Sequence, residues 1–158
     1  MDEMTFFIAE GMKGLNNAAV ELITKGEYDE AEKVFRTVEE TARLFSYKEG
    51  IGMVRVSLAN LSVMRGNILE ALTHIDVATE YQPPGDGREE ACTLRKKISI
   101  LALEKGIEKE KQGDLKGALE LFERILPNLN EKRAVLVSNE IENIKRYLKA
   151  VQQGGPKR

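Results

Sequence analysis

Catalysis or metal binding needs reactive side chains gathered at particular spacings, and this chain offers few of them. Its one histidine, His74, falls between apolar positions of a helical pattern. No cysteine or aspartate accompanies it at metal-ligand spacing, so a structural role is expected, with no metal and no cofactor. The single cysteine, Cys92, has no histidine near it in sequence to act as a base, and helix packing is the expected use of its thiol. Carboxylates are plentiful, but they pair with lysines at helical spacing, as in the run of Glu104, Lys105, Glu108 and Lys109. Such runs are solvated helix faces and not acid–base pairs. The glycines close helical patterns where a phosphate-cradling loop would open a helix after a strand. The residues therefore point away from an enzyme and leave binding as the expected activity.

A chain of 158 residues, 42% hydrophobic and 32% charged, is long enough for a real core and is neither disordered nor membrane-like in composition. One domain is expected over residues 1–153, followed by a flexible tail, 154–158. The lone cysteine excludes an internal disulfide and a cysteine-rich zinc site. Residues 1–9 carry two acids, no base and no long apolar run, and no segment reaches the roughly 20 apolar residues that cross a bilayer. A cytoplasmic protein that does not enter membranes is the expectation. Net charge is −2, unevenly spread: residues 1–45 hold 10 acids and 5 bases, and residues 127–158 hold 3 acids and 7 bases. Contrast of that kind can orient a partner or favour head-to-tail contact.

Strand signals are nearly absent, and the apolar residues recur at helical spacing. A first helix is expected from about Thr5 to Lys25, burying Phe7, Leu15, Ala18, Leu22 and Ile23. Gly11 and Gly14 inside it each cost roughly 1 kcal/mol against alanine, which points to close helix approach there or to a loose start. A second helix carries Asp29 and Glu30 in its first turn and a stripe of Ala31, Val34, Phe35, Val38, Ala42 and Phe45. The third, about Lys48 to Arg65, is apolar on almost every face and should be central. The fourth turns Leu69, Ala71, Leu72, Ile75 and Ala78 inward. The run Pro83-Pro84-Gly85-Asp86-Gly87 reads as a loop before a fifth helix, about Glu89 to Gln112, whose charged end, 104–111, is expected to protrude into solvent. A sixth helix carries Leu115, Ala118, Leu119, Phe122 and Ile125 and stops at Pro127. In the last helix, about 131–152, Ala134, Val137, Ile141, Ile144, Leu148 and Val151 form a narrow seam. That seam suits a capping helix, with dimerisation as the alternative.

Three segments repeat. Gly26-Glu27-Tyr28-Asp29-Glu30-Ala31 with Phe35 returns as Gly66-Asn67-Ile68-Leu69-Glu70-Ala71 with Ile75, and as Gly113-Asp114-Leu115-Lys116-Gly117-Ala118 with Phe122. The pattern resembles the tetratricopeptide repeat (TPR) family over about residues 12–127, in copies near 12–45, 52–85 and 99–130. The family's small first-helix position falls on Ala19, Ala59 and Gly106, and its terminal proline on Pro83 in the second copy only. Its large first-helix position holds Leu15, then Arg55, then Ala102, so one copy fits. Copies are 40 and 47 residues apart where the family's usual period is 34, nearer the extended repeats of polarity scaffolds and peptide-sensing regulators. The resemblance implies an all-α fold of about seven helices: a superhelix of three antiparallel hairpins and a C-terminal capping helix, 131–152.

It also implies a non-catalytic adaptor or scaffold that binds a peptide or helix of a partner protein in a concave groove. The matching groove positions are Lys13, Asn16, Asn17, Val20, Met53, Val56, Asn60 and Val63, with Ile100, Leu103 and Ile107 in the third copy. Asn16 and Val20 stand where a carboxylate-clamping subgroup would carry lysine and asparagine, so that mode is disfavoured. The rival expectation for the groove is that the last helix or a second copy already fills it. A rival expectation is a self-associating structural protein, a homodimer or larger, using Phe6, Phe7 and Ile8 at the chain end. A basic last helix with Lys132, Arg133, Lys145, Arg146 and Lys149 raises nucleic acid as a third partner class. With only Tyr147 there to stack on bases, nucleic-acid binding is not expected.

Overall fold

The computed structural model describes residues 2–154; residues 155–158, most of the expected tail, lie outside the described part. Among the described residues the chain is all-α, with seven α-helices and no strand. These are α1 Glu3–Thr24, α2 Tyr28–Leu44, α3 Lys48–Met64, α4 Ile68–Tyr81, α5 Asp86–Lys111, α6 Leu115–Ile125 and α7 Glu131–Gln152, with a 3₁₀ turn at Leu126–Asn128. They fall into two compact units, Met1–Arg95 and Lys96–Arg158.

One turn builds most of the connections. Gly26, Gly66 and Gly113 each take a left-handed φ of 78°, 79° and 84°. After each, a backbone N–H reaches five residues back: Glu27 to Leu22 O, Asn67 to Ser62 O and Asp114 to Lys109 O, at 2.8–2.9 Å. This is a Schellman closure, in which glycine enters the left-handed region without steric cost. A fourth copy joins α2 to α3 with no glycine: Ser46 sits at φ 53°, and Tyr47 N reaches Ala42 O at 2.7 Å.

In the first unit α3 is central, packing on α1, α2 and α4, as its all-round apolarity requires. Met12, Ala19, Ala31, Phe35, Val38, Ala42, Ile51, Val54, Leu58 and Leu61 form its core. The buried side of α1 differs from the expected one: Ala9, Met12, Asn16 and Ala19 turn inward, while Phe7, Leu15 and Ala18 are exposed. Ala9 and Ala19 are small and let the neighbours approach, while Met12 fills the space between them. Gly11 and Gly14 are not approach points, since nothing lies within 4 Å of a Cβ placed on either. Phe45, expected in the α2 stripe, is exposed because it caps the helix beyond its last turn. Helix α5 begins at Asp86, earlier than the proline–glycine run indicates. Glu89 N closes its first turn on Gly85 O at 3.0 Å, and Asp86 stands where the helix dipole favours an acid.

In the second unit Leu115, Ala118, Phe122, Val137, Ile141 and Ile144 form the core, and the seam of α7 is spent on α6. The charged end of α5 does not simply protrude. Gly106 is buried against the Phe122 ring, Leu103 packs on the core, and Lys109 Nζ donates to Asp114 Oδ2 at 3.0 Å.

Candidate interaction site

The residues expected to line a groove lie on α1 and α3, which pack side by side. Ser57 Oγ donates to Asn16 Oδ1 at 2.9 Å, and this bond ties the two helices together. Asn16 is buried in that contact, so its amide serves the helix pair and is withdrawn from any open surface. Met53 is half-buried and packs on the first core. The positions left accessible are Lys13, Asn17 and Val20 on α1 with Asn60 on α3, and Val56 and Val63 are half-buried beside them. Lys13 leans on Glu10 at 3.2 Å in an exposed pair worth little. The surface thus offers two amides that can bond a backbone and three valines that can shelter an apolar side chain.

The third-copy positions lie in the second unit. Ile100 and Ile107 are exposed, and Leu103 is half-buried in that unit's core. Ile107 and Leu103 join Phe122, Leu136 and Val137 around an apolar crevice of about 290 Å³.

At the chain start Phe6 and Phe7 are exposed and meet edge to face at 6.0 Å. Ile8 packs on the first core and is only partly available. On α7, Lys145 Nζ lies 2.6 Å from Glu123 and Arg146 pairs with Glu142 at 3.5 Å, so two of the five basic side chains already face carboxylates. Lys132, Arg133 and Lys149 are exposed.

A buried polar cluster escaped the sequence reading. Glu39 lies inside the α2 stripe, and its Oε1 accepts from Arg43 Nε and Nη2 and, at 2.7 Å, from Arg55 Nη2 of α3. Arg55 Nη1 lies 2.9 Å from Nδ1 of His74 on α4, so that nitrogen is the acceptor and the ring is neutral. Burial lowers the His74 pKa, and the nearby charges of Arg55 and Arg36 lower it further. Burial pushes the Glu39 carboxyl up, but the bonds and charges of Arg55 and Arg43 outweigh it and hold the group ionised. Two signals pointed here: an acid in register with Phe35, Val38 and Ala42, and an arginine in a large apolar position. With its carboxylate held between two guanidiniums, the cluster joins α2, α3 and α4 as a pin.

Cys92 is a half-buried free thiol on α5. Among the described residues no group of three His, Cys, Asp or Glu side chains is placed to hold a metal ion. No helix among them is long and apolar enough to cross a membrane.

No protein-family model matches the chain, and no curated protein matches its sequence.

Proposed function

We propose that this chain is a non-catalytic, cytoplasmic interaction module of TPR-like hairpins that takes a peptide or helix of a partner protein on the exposed side of α1 and α3. The observation that carries this reading is the make-up of that side. Asn17 and Asn60 stand in solvent beside Val20, Val56 and Val63, with neighbouring helices covering the opposite sides. Amides flanked by apolar side chains match an extended backbone or an amphipathic helix. The TPR-like part of the reading is supported by three turns of one geometry and by the small residues Ala19, Ala59 and Gly106, all buried in register with Ala31, Ala71 and Ala118.

The test is comparative capture of partners by the full chain, by an Asn17→Ala/Asn60→Ala variant and by Val20→Glu. All three positions are solvent-facing, so circular dichroism should show unchanged helicity. A partner retained by the native chain and lost by both variants supports the reading. An unchanged partner set sinks it.

A further inference from the structure

The crevice of the second unit has the size and the chemistry of a small-ligand site. At its base lies the ring of Phe122 on α6, itself buried. Leu103 and Ile107 wall it from α5, Leu136 and Val137 from α7, and the space between them is about 290 Å³. A cavity of about 150 Å³ takes benzene, so this one has room for roughly 12 non-hydrogen atoms. Its apolar walls with a few polar groups among them are the usual make-up of such pockets.

Three charged side chains complete the lining: Glu110 from α5, and Arg133 and Glu140 from α7. Their settings differ. Glu140 is half-buried, and its carboxylate has no hydrogen bond or ion pair among the described residues. Its charge is therefore partly stripped of water and not compensated. Glu110 is half-buried and already engaged, and it adds a second carboxylate to the same lining. Arg133 is exposed, with its guanidinium in water, and stands roughly 10 Å of helix before Glu140. A cation placed in the crevice thus answers a poorly solvated charge, whereas an anion meets two like charges and one fully hydrated partner.

We propose that this crevice binds a small organic cation, with an aromatic or aliphatic body of about 10–12 non-hydrogen atoms among the apolar walls and a primary ammonium on Glu140. The walls supply affinity and Glu140 supplies the choice of charge, because a hydrogen bond between ionised groups is roughly twice as strong as one between neutral groups. The site lies wholly in the second unit and shares no residue with the α1–α3 side proposed for a partner, so either reading can fail without the other.

Three probes of one shape test it: 4-phenylbutylammonium, 4-phenylbutan-1-ol and 4-phenylbutyrate, each titrated into the full chain and followed through its backbone amide NMR signals. The ammonium should saturate with a Kd of about 1 mM or below and shift the amides of 103–110 and 133–140 most. It should bind about tenfold or more tightly than the alcohol, with the carboxylate weakest. Glu140→Gln keeps the shape and removes the charge, so the ammonium should fall to the affinity of the alcohol while the alcohol is unaffected. Ile107→Ser breaks the apolar wall and should weaken ammonium and alcohol alike. Ile107 is 41% exposed, so the fold should survive, as circular dichroism will show; Leu136→Ser, at a position 63% exposed, takes its place if it does not. Equal affinity for all three probes, shifts centred elsewhere, or a Glu140→Gln chain that still prefers the ammonium would overturn the proposal. So would a crevice filled by a second copy, seen as doubled mass in light scattering with no saturable binding of any probe.

Discussion

Three helix-interior glycines separate close packing from mere tolerance, because their surroundings give alanine substitutions opposite signs. In an exposed helix alanine is worth about 1 kcal/mol over glycine. At Gly11 and Gly14 nothing lies within 4 Å of the added Cβ, so that gain should appear almost undiminished. At Gly106 the Cβ would stand 2.5 Å from Cε1 of Phe122, 2.9 Å from Cδ1 and 3.2 Å from Cζ. The ring cannot swing aside, because Phe122 is itself buried in the core with Leu115, Ala118, Val137, Ile141 and Ile144. Overpacking of a closed core costs about 1–3 kcal/mol, and three ring carbons in conflict place this case in the upper part of that range. Set against the propensity gain of about 1 kcal/mol, the clash leaves Gly106→Ala destabilised by about 1–2 kcal/mol. Urea unfolding followed by far-UV circular dichroism should therefore move the midpoint up for Gly11→Ala and Gly14→Ala and down for Gly106→Ala. Adding Phe122→Leu to Gly106→Ala removes the ring carbons, so the pair should cost at least about 1 kcal/mol less than the sum of the two singles. A Gly106→Ala chain as stable as the native one, or strict additivity with Phe122→Leu, would refute the close-approach account of the α5–α6 contact.

The remaining expectations concern the serine turn and the buried cluster. Ser46 holds a left-handed conformation that costs a non-glycine residue about 1–2 kcal/mol, so Ser46→Gly should raise stability by about 1 kcal/mol; a fall would show that its hydroxyl stabilises the turn. Arg55→Met leaves Glu39 buried with only the more exposed Arg43, and since unpairing a buried ion pair costs about 3–5 kcal/mol, a loss near the lower end is expected. Replacing Glu39 by Met as well should cost clearly less than the two singles combined; additive costs would show that the two groups are not coupled. The pH dependence follows from His74, whose folded pKa lies below its ordinary 6.5. Below pH 6.5 the unfolded chain takes up a proton that the folded chain refuses, so stability falls as pH drops through that region. His74→Asn keeps an acceptor for Arg55 and should flatten that part of the profile; an unchanged slope would assign it to other groups. Glu39 acts in the same direction at lower pH, since its stabilising charge is lost only as pH falls through a value below 4.5.

What the sequence made legible was whatever depends on chain-local geometry. The turn glycines 26, 66 and 113, the inward alanines 31, 71 and 118, and the α7 seam are fixed by spacing within one or two turns, and the structure places them accordingly. What it hid was whatever depends on which neighbour arrives. Helix α1 has apolar residues on several sides, and hydrophobicity alone selects the stripe with the largest ones, Phe7, Leu15 and Leu22. The observed side uses Ala9, Met12 and Ala19, with Leu22 and Ile23 packed at its end, and leaves Phe7 and Leu15 exposed, because the side that neighbours cover is set by where α2 and α3 pack and not by hydrophobicity alone. Glu39 is a related case: its register with Phe35, Val38 and Ala42 signals burial, but a buried carboxylate becomes tolerable only once Arg55 arrives from another helix. Asn16 is the same case within the candidate site, since only the arrival of Ser57 turns a groove amide into an internal one.

The Ser46 turn changes what the irregular repeat means. Turn residues at 26, 46 and 66 are twenty positions apart, and each interval holds a 17-residue helix and a three-residue connection. The spacing of 40 between glycine turns is thus two equal strides with a serine in the middle, and in sequence it reads as one long stride because only the glycines announce themselves. The larger spacing, 66 to 113, has a different origin. It contains the 14-residue α4, the proline loop and a 26-residue α5. Regularity therefore belongs to α2 and α3, and irregularity to α5. Equal helices joined by equal turns hold α2 and α3 at a fixed offset, and the Ser57–Asn16 bond fixes α1 against α3 in turn. A partner binding there meets a surface set by the regular stride, so lengthening α3 by two residues should disturb binding far more than the same insertion in the exposed Pro83–Gly85 loop.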